Sequence, residues 1–131
     1  MESKRKFELD VPDGLQIYES YIEVAGAHQR RADVIDFMKG KTLTLELERE
    51  PRNQYDKNAI KVIGVAKGLF LSKRYHLGYV PADMARRLVV GRFLPIGGTL
   101  RMIQVGEYVN LKFDLLGPDG RKKEYGEFKV K

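Results

Sequence analysis

Cysteine is absent from the 131 residues, which excludes disulfides, thiolate metal sites and a thiol nucleophile. Histidine is scarce: His28 and His76 are the only imidazoles, too few for a histidine-rich metal cage. No apolar run approaches the length of a membrane span, and residues 1–10 are charged where a signal peptide would be apolar. There is no internal repeat, no low-complexity tract and no Gly-rich phosphate loop ending in Gly-Lys-Ser/Thr. These absences lead us to expect no metal, no cofactor, no membrane, and a cytoplasmic or nucleoid-associated location. The length suits one domain over residues 1–131, with a core at about residues 18–116 and looser ends.

What is present is an uneven positive charge. The net charge is +6, and residues 66–131 hold thirteen Lys/Arg against six Asp/Glu, whereas residues 1–40 hold six against eight. Lys73, Arg74, Arg86, Arg87, Arg92 and Arg101 lie between apolar positions. Such a stretch suits a polyanion, because each neutralised phosphate releases counterions. A solvated, solubilising surface would have the same composition.

The hydrophobic pattern is mostly that of strands. Tyr18 to Gly26 is aromatic and β-branched and ends at a glycine. Leu43, Leu45 and Leu47 alternate with Thr and Glu, predicting a strand with one buried face, and Ala59 to Ile63 reads as the next. Gly64 to Arg74 is irregular and contains a Leu-Phe-Leu run that suits a hairpin, followed by a strand at Leu77 to Val80. Residues 100–105 and 108–115 read as an antiparallel pair joined near Gly106. Pro118-Asp119-Gly120 is a turn signal leading to a last strand around Glu127 to Val130. Helical spacing appears twice, at Arg31 to Lys39 before Gly40 and from Pro81 to Leu88 before Gly91. The aromatics Tyr108, Phe113 and Tyr125 read as core and edge packing. Mainly β with two short helices, the whole points to a modified OB-like barrel of six to seven strands.

The densest polar segment sits between two of these strands, at Arg49 to Asn58. Pro51 cannot donate to a ladder and holds Glu50 extended, so the first strand stops there and the loop presents Arg52, Asn53, Tyr55, Asp56, Lys57 and Asn58. Asp56 and Asn58 also suit a simple turn cap. Glu48, Glu50 and Asp56 with a lysine would be the raw material of a metal-dependent nuclease, but Glu48 and Glu50 occupy the solvated face of a strand.

Three separated motifs carry a resemblance: Val24-Ala25-Gly26-Ala27-His28-Gln29-Arg30, Leu47 to Val62 around Asn53-Gln54-Tyr55-Asp56, and Leu77-Gly78-Tyr79-Val80-Pro81 with Ala85. In order and spacing they resemble the HIRAN domain, a module found at the front of helicase-like fork-remodelling ATPases and also alone in bacteria and phages. The resemblance spans roughly residues 22–105. It implies a non-catalytic module for single-stranded DNA or DNA ends, working in DNA repair or replication-fork processing, with helicase or nuclease proteins as candidate partners. It further implies that Asp56 accepts the hydroxyl of a 3′ end, that Tyr55 contacts the end nucleotide, and that Arg52 and Asn53 hold the last nucleotides. Tyr79 would line the groove. The family's Arg-aromatic pair after the first glycine is replaced here by His28 and Gln29, forgoing a base stack worth about 1–3 kcal/mol unless His28 or Tyr79 supplies one; Arg30 offers a phosphate contact instead. A protein-interaction module without a DNA pocket is the competing expectation.

Overall fold

The computed structural model describes residues 2–129. Seven strands and three short helices follow one another as β1 (Ser3–Lys6), β2 (Leu15–Glu23), a 3-10 turn (His28–Arg30), α1 (Arg31–Met38), β3 (Thr42–Arg49), β4 (Ile60–Lys67), β5 (Ser72–Tyr79), α2 (Ala82–Val90), β6 (Gly97–Val105), β7 (Val109–Pro118) and α3 (Lys122–Glu127). Among the described residues no helix is long and apolar enough to cross a membrane.

The alternation in β3 does what its period requires. Leu43 and Leu45 are buried, the intervening Thr and Glu side chains are exposed, and β4 behind them is buried along most of its length. In α2 the spacing buries Ala85 and Leu88, and Gly91 closes the helix by donating its N–H to the Arg87 carbonyl. Phe37, Ile60, Val62, Leu77, Phe93, Leu111, Phe113 and Leu115 are fully buried in the common core.

The strands pair as two antiparallel sheets, β1-β6-β7-β2 and β3-β4-β5. Hydrogen bonding does not close them into the expected barrel. At one seam the sheets are joined by a single bridge, in which Ala25 and Tyr79 exchange N–H···O bonds of 2.8 and 2.9 Å. The approach is close enough that a Cβ on Gly78, held at φ +148°, would collide with the Ala25 carbonyl. At the other seam, β3 and the first half of β6 face one another without a ladder, and the chain at residues 7–12 passes beside the gap.

Three local expectations are corrected. The strand expected around Glu127 to Val130 is not seen: α3 occupies Lys122–Glu127, its Tyr125 packing between Tyr18 and Phe93, residues 128–129 are irregular, and Val130 lies outside the described residues. The charged opening contains β1, which pairs with the end of β6. Residues 64–74 form the expected hairpin, but with regular arms, since β4 runs to Lys67 and β5 begins at Ser72, ahead of the strand expected from Leu77. Its hairpin tip, Leu69, Phe70 and Leu71, is 81%, 95% and 81% exposed.

Candidate functional site

Between β3 and β4, residues 50–59 form a loop that is shaped from within. Glu50 donates its N–H to the Ala59 carbonyl at the base, and Ala59 donates to Asp56. Asn53 is the centre: its Oδ1 accepts the N–H groups of Tyr55 and Asp56 at 2.8 and 2.9 Å, and its Nδ2 donates to Glu50 Oε1 at 2.6 Å. Asp56 Oδ1 in turn accepts the Asn58 N–H at 2.9 Å, an Asx turn. Short polar side chains that bond their own backbone thus replace the ladder that Pro51 interrupts.

Glu50 ties this loop to β5 and β4. Besides Asn53 it accepts the Tyr79 hydroxyl at 2.9 Å and pairs with Lys61 at 3.3 Å. The hydrogen bond from Asn53, then that from Tyr79, holds the Glu50 carboxyl below its ordinary range against the opposing effect of burial. Tyr79 is pushed upward, by burial first and then by its bond to Glu50. Its ring stands edge-on to His76 at 4.9 Å; burial and then the Arg30 charge hold that imidazole below its usual value.

The result is an open recess of about 450 Å³ with an apolar floor of Ala25, Ala59, Val80 and Ala82 and a rim of Asn53, Tyr55, Asp56 and Tyr79. Tyr55 is 95% exposed, and Asp56 is half-buried as the one carboxylate in that lining. Its second carboxylate oxygen has no partner among the described residues. Lys57 and Asn58 lie with Tyr55 and Asp56 along a second depression of about 440 Å³, opposite Ala82, Asp83 and Arg86. Arg52 is exposed and lines neither.

Ala25 belongs also to a longer groove of about 780 Å³, and Pro81, next to the recess residue Ala82, lies along it. His28 and Gln29 line this groove; Arg30 is half-buried, on the side of His76 and Tyr79. The fold therefore places the two segments singled out in the sequence on adjoining surfaces. The wall along β2 carries Glu19 and Glu23 and the groove's lining holds no Lys or Arg; the recess lining has the single carboxylate of Asp56 and likewise no Lys or Arg.

Two aromatics stand at this groove, Tyr21 in its lining and Tyr108 beside His28. Tyr108, expected to pack in the core or at an edge, is 72% exposed with its ring 5.0 Å from that of His28, whose Nδ1 accepts the Val109 N–H. Phe113 and Tyr125 do sit in the core. Tyr21 lines the groove because the β2 register slips between Glu19 and Ile22, leaving Tyr21 at φ +55° and half exposed. Its N–H is held by the buried Asp114, which also pairs with Arg101 at 2.7 Å. The only signal for such a bulge is an aromatic out of step with the buried positions Tyr18 and Ile22.

The carboxylates weighed for a metal cluster have other partners: Glu48 faces Arg74 at 3.8 Å and Glu50 is engaged as above. Among the described residues no three His, Asp or Glu come together to hold a metal.

The family model described as HIRAN domain matches residues 17–90, which include most of β2, the 50–59 loop, β5 and α2. The crystal structure of the HIRAN domain of human HLTF is similar with a TM-score of 0.47 and 20% identity, covering 90% of this chain and 97% of that one. No curated protein matches.

Proposed function

Because this chain belongs to the HIRAN domain family, known as a DNA-binding module, we propose that it captures the 3′-hydroxyl end of single-stranded DNA in the recess beside Tyr55 and Asp56, as a binding module in repair or fork processing. The observation that carries this reading is the division of labour within Asp56. One oxygen is committed to the Asn58 N–H, the other has no partner among the described residues, and Asp56 lines a solvent-open recess. A carboxylate so placed accepts a hydroxyl proton and repels a phosphate, which favours a chain end over a continuing strand.

The exposed Tyr55 ring offers a face to the terminal base, and the strand then runs past Ala25 toward His28, Gln29, Tyr21 and Tyr108. The last two provide aromatic surface that Gln29 does not. Lys57 and Arg52 meet the backbone charge near the end, with Arg30 beside Tyr79. Asn53 acts mainly on the loop itself, since both ends of its amide are engaged internally.

Fluorescence anisotropy with short oligonucleotides ending in 3′-OH or 3′-phosphate tests the proposal. Wild type is expected to prefer the hydroxyl by tenfold or more, the value of about 1.5–3 kcal/mol for a hydrogen bond to a charged group. Asp56→Asn keeps an acceptor for the Asn58 N–H, so the loop survives while the preference disappears. Equal affinity of wild type for both ends would sink end capture.

A further inference from the structure

The open seam and the bare hairpin tip are complementary. Between β3 and β6 lies a cleft of about 370 Å³ with Leu47 and Ile96 half-exposed at its walls and Leu43, Leu45, Leu100 and Leu116 buried beneath them. Glu8 and Asp10 border it, on a segment whose residues 7–13 hold three carboxylates and no cation. Neither Glu8 nor Asp10 is in an ion pair among the described residues, and Asp10 is fixed in place by its N–H to Thr99 Oγ1 at 3.1 Å.

The tip of the β4–β5 hairpin has the opposite character. Three consecutive large apolar side chains stand almost fully in solvent, and residues 66–74 around them hold three cations and no carboxylate; Lys73 and Arg74 pair with Asp36 at 3.2 Å and Glu46 at 2.6 Å, and Lys67 is in no ion pair among the described residues. Nothing in the fold of this chain uses them; the one backbone bond across the tip is Gly68 N–H to Leu71 carbonyl. A contiguous exposed apolar element rimmed by charge marks an interaction site. It stands the length of β4, about 25 Å at roughly 3.3 Å per residue, from the Tyr55–Asp56 recess, so the oligonucleotide surface does not account for it.

We propose that this chain associates with itself head to tail, the Leu69-Phe70-Leu71 tip of one copy docking over the acid-bordered cleft between β3 and β6 of the next. Apolar side chains of the tip cover the mouth of the seam, where Leu47 and Ile96 are half-exposed, while Lys67 approaches Glu8 and Asp10. The contact joins two different surfaces, so each added copy leaves one tip and one cleft unused and the assembly does not stop at two unless it closes as a ring.

Sedimentation velocity of the full chain over a concentration series gives the readout. Wild type is expected to grow in mass with concentration, the more so at low salt. Phe70→Asp spoils the tip, and Glu8→Lys with Asp10→Lys reverses the border of the cleft; both alter exposed side chains and leave the core alone. Each is expected to stay monomeric, with self-association weakened by at least about thirtyfold, as for an interface hot spot. Mixing them restores one usable tip and one usable cleft, so a dimer that grows no further is expected. Wild type that remains monomeric at high micromolar concentration overturns the proposal. So does self-association of either variant alone. Phe70-dependent floating of monomeric wild type with anionic vesicles, absent with neutral ones, would overturn it in favour of a lipid surface.

Discussion

The two connections of the β3-β4-β5 sheet leave it at opposite ends and are built on opposite physics. The 50–59 loop is long and polar, yet Asn53, Asp56 and Glu50 give it a network of five side-chain bonds within itself and to Tyr79. The 68–71 tip is short and apolar, and only one backbone bond spans it. The loop's exposed residues are thus held in a fixed shape by buried and half-buried neighbours. The tip's side chains contribute nothing to their own placement. An exposed side chain supported by such a network suits recognition of a small, defined chemical group; an exposed apolar one without it suits burial against a larger surface.

Breaking the loop should have the largest effect. Asn53→Ala strips two backbone donors and Glu50 of their partner, with an expected loss of about 1–3 kcal/mol in urea unfolding and loss of oligonucleotide binding; an unchanged midpoint would show that the network is ornamental to the fold. Tyr79→Phe removes one bond to Glu50 and is expected to cost about 1 kcal/mol, with weaker binding at the recess but little change in the rest of the protein.

Acid tests the same network more gently. The Glu50 carboxyl is held below its ordinary value by Asn53 and Tyr79, so its stabilisation is fully present above the unfolded value and is lost as pH falls through the lower folded one. The stability gap between wild type and Glu50→Gln should accordingly be widest near about pH 6 and close toward about pH 3. A gap that widens on acidification would reverse the assignment. The smallest effect belongs to the tip: replacing Leu69, Phe70 and Leu71 together with serine should shift monomer stability by no more than about 0.5 kcal/mol, because no apolar area is buried there to lose.

Much of this contrast is readable from the chain. The alternation of Leu43, Leu45 and Leu47 and the break at Pro51 locate β3 and its loop, and Pro81 and Gly91 bracket α2, because period and turn chemistry act over a few residues. The segments 24–30, 47–62 and 77–81 were found by their motifs, and the fold brings their residues to adjoining surfaces. What escaped depends on distant partners. The α3 helix owes its place to the packing of Tyr125 on Tyr18 and Phe93, more than thirty residues away in sequence from either. The seam stays open because strand pairing between β3 and β6 is a matter of geometry across the whole molecule, which alternation in either strand alone does not encode. Tyr108 was misplaced for a related reason: the β6–β7 turn lifts it out beside His28, a neighbour from another part of the chain.

The contact at Gly78 has a consequence for whatever spans the site. Where β5 crosses Ala25, the residue shared by the recess and the groove, the two main chains are pinned by two reciprocal bonds, and Gly78 leaves no room for a side chain between them. Rotamer changes cannot reshape that junction. A ligand crossing it meets a rigid saddle, and selectivity must be set by the side chains that stand at either end.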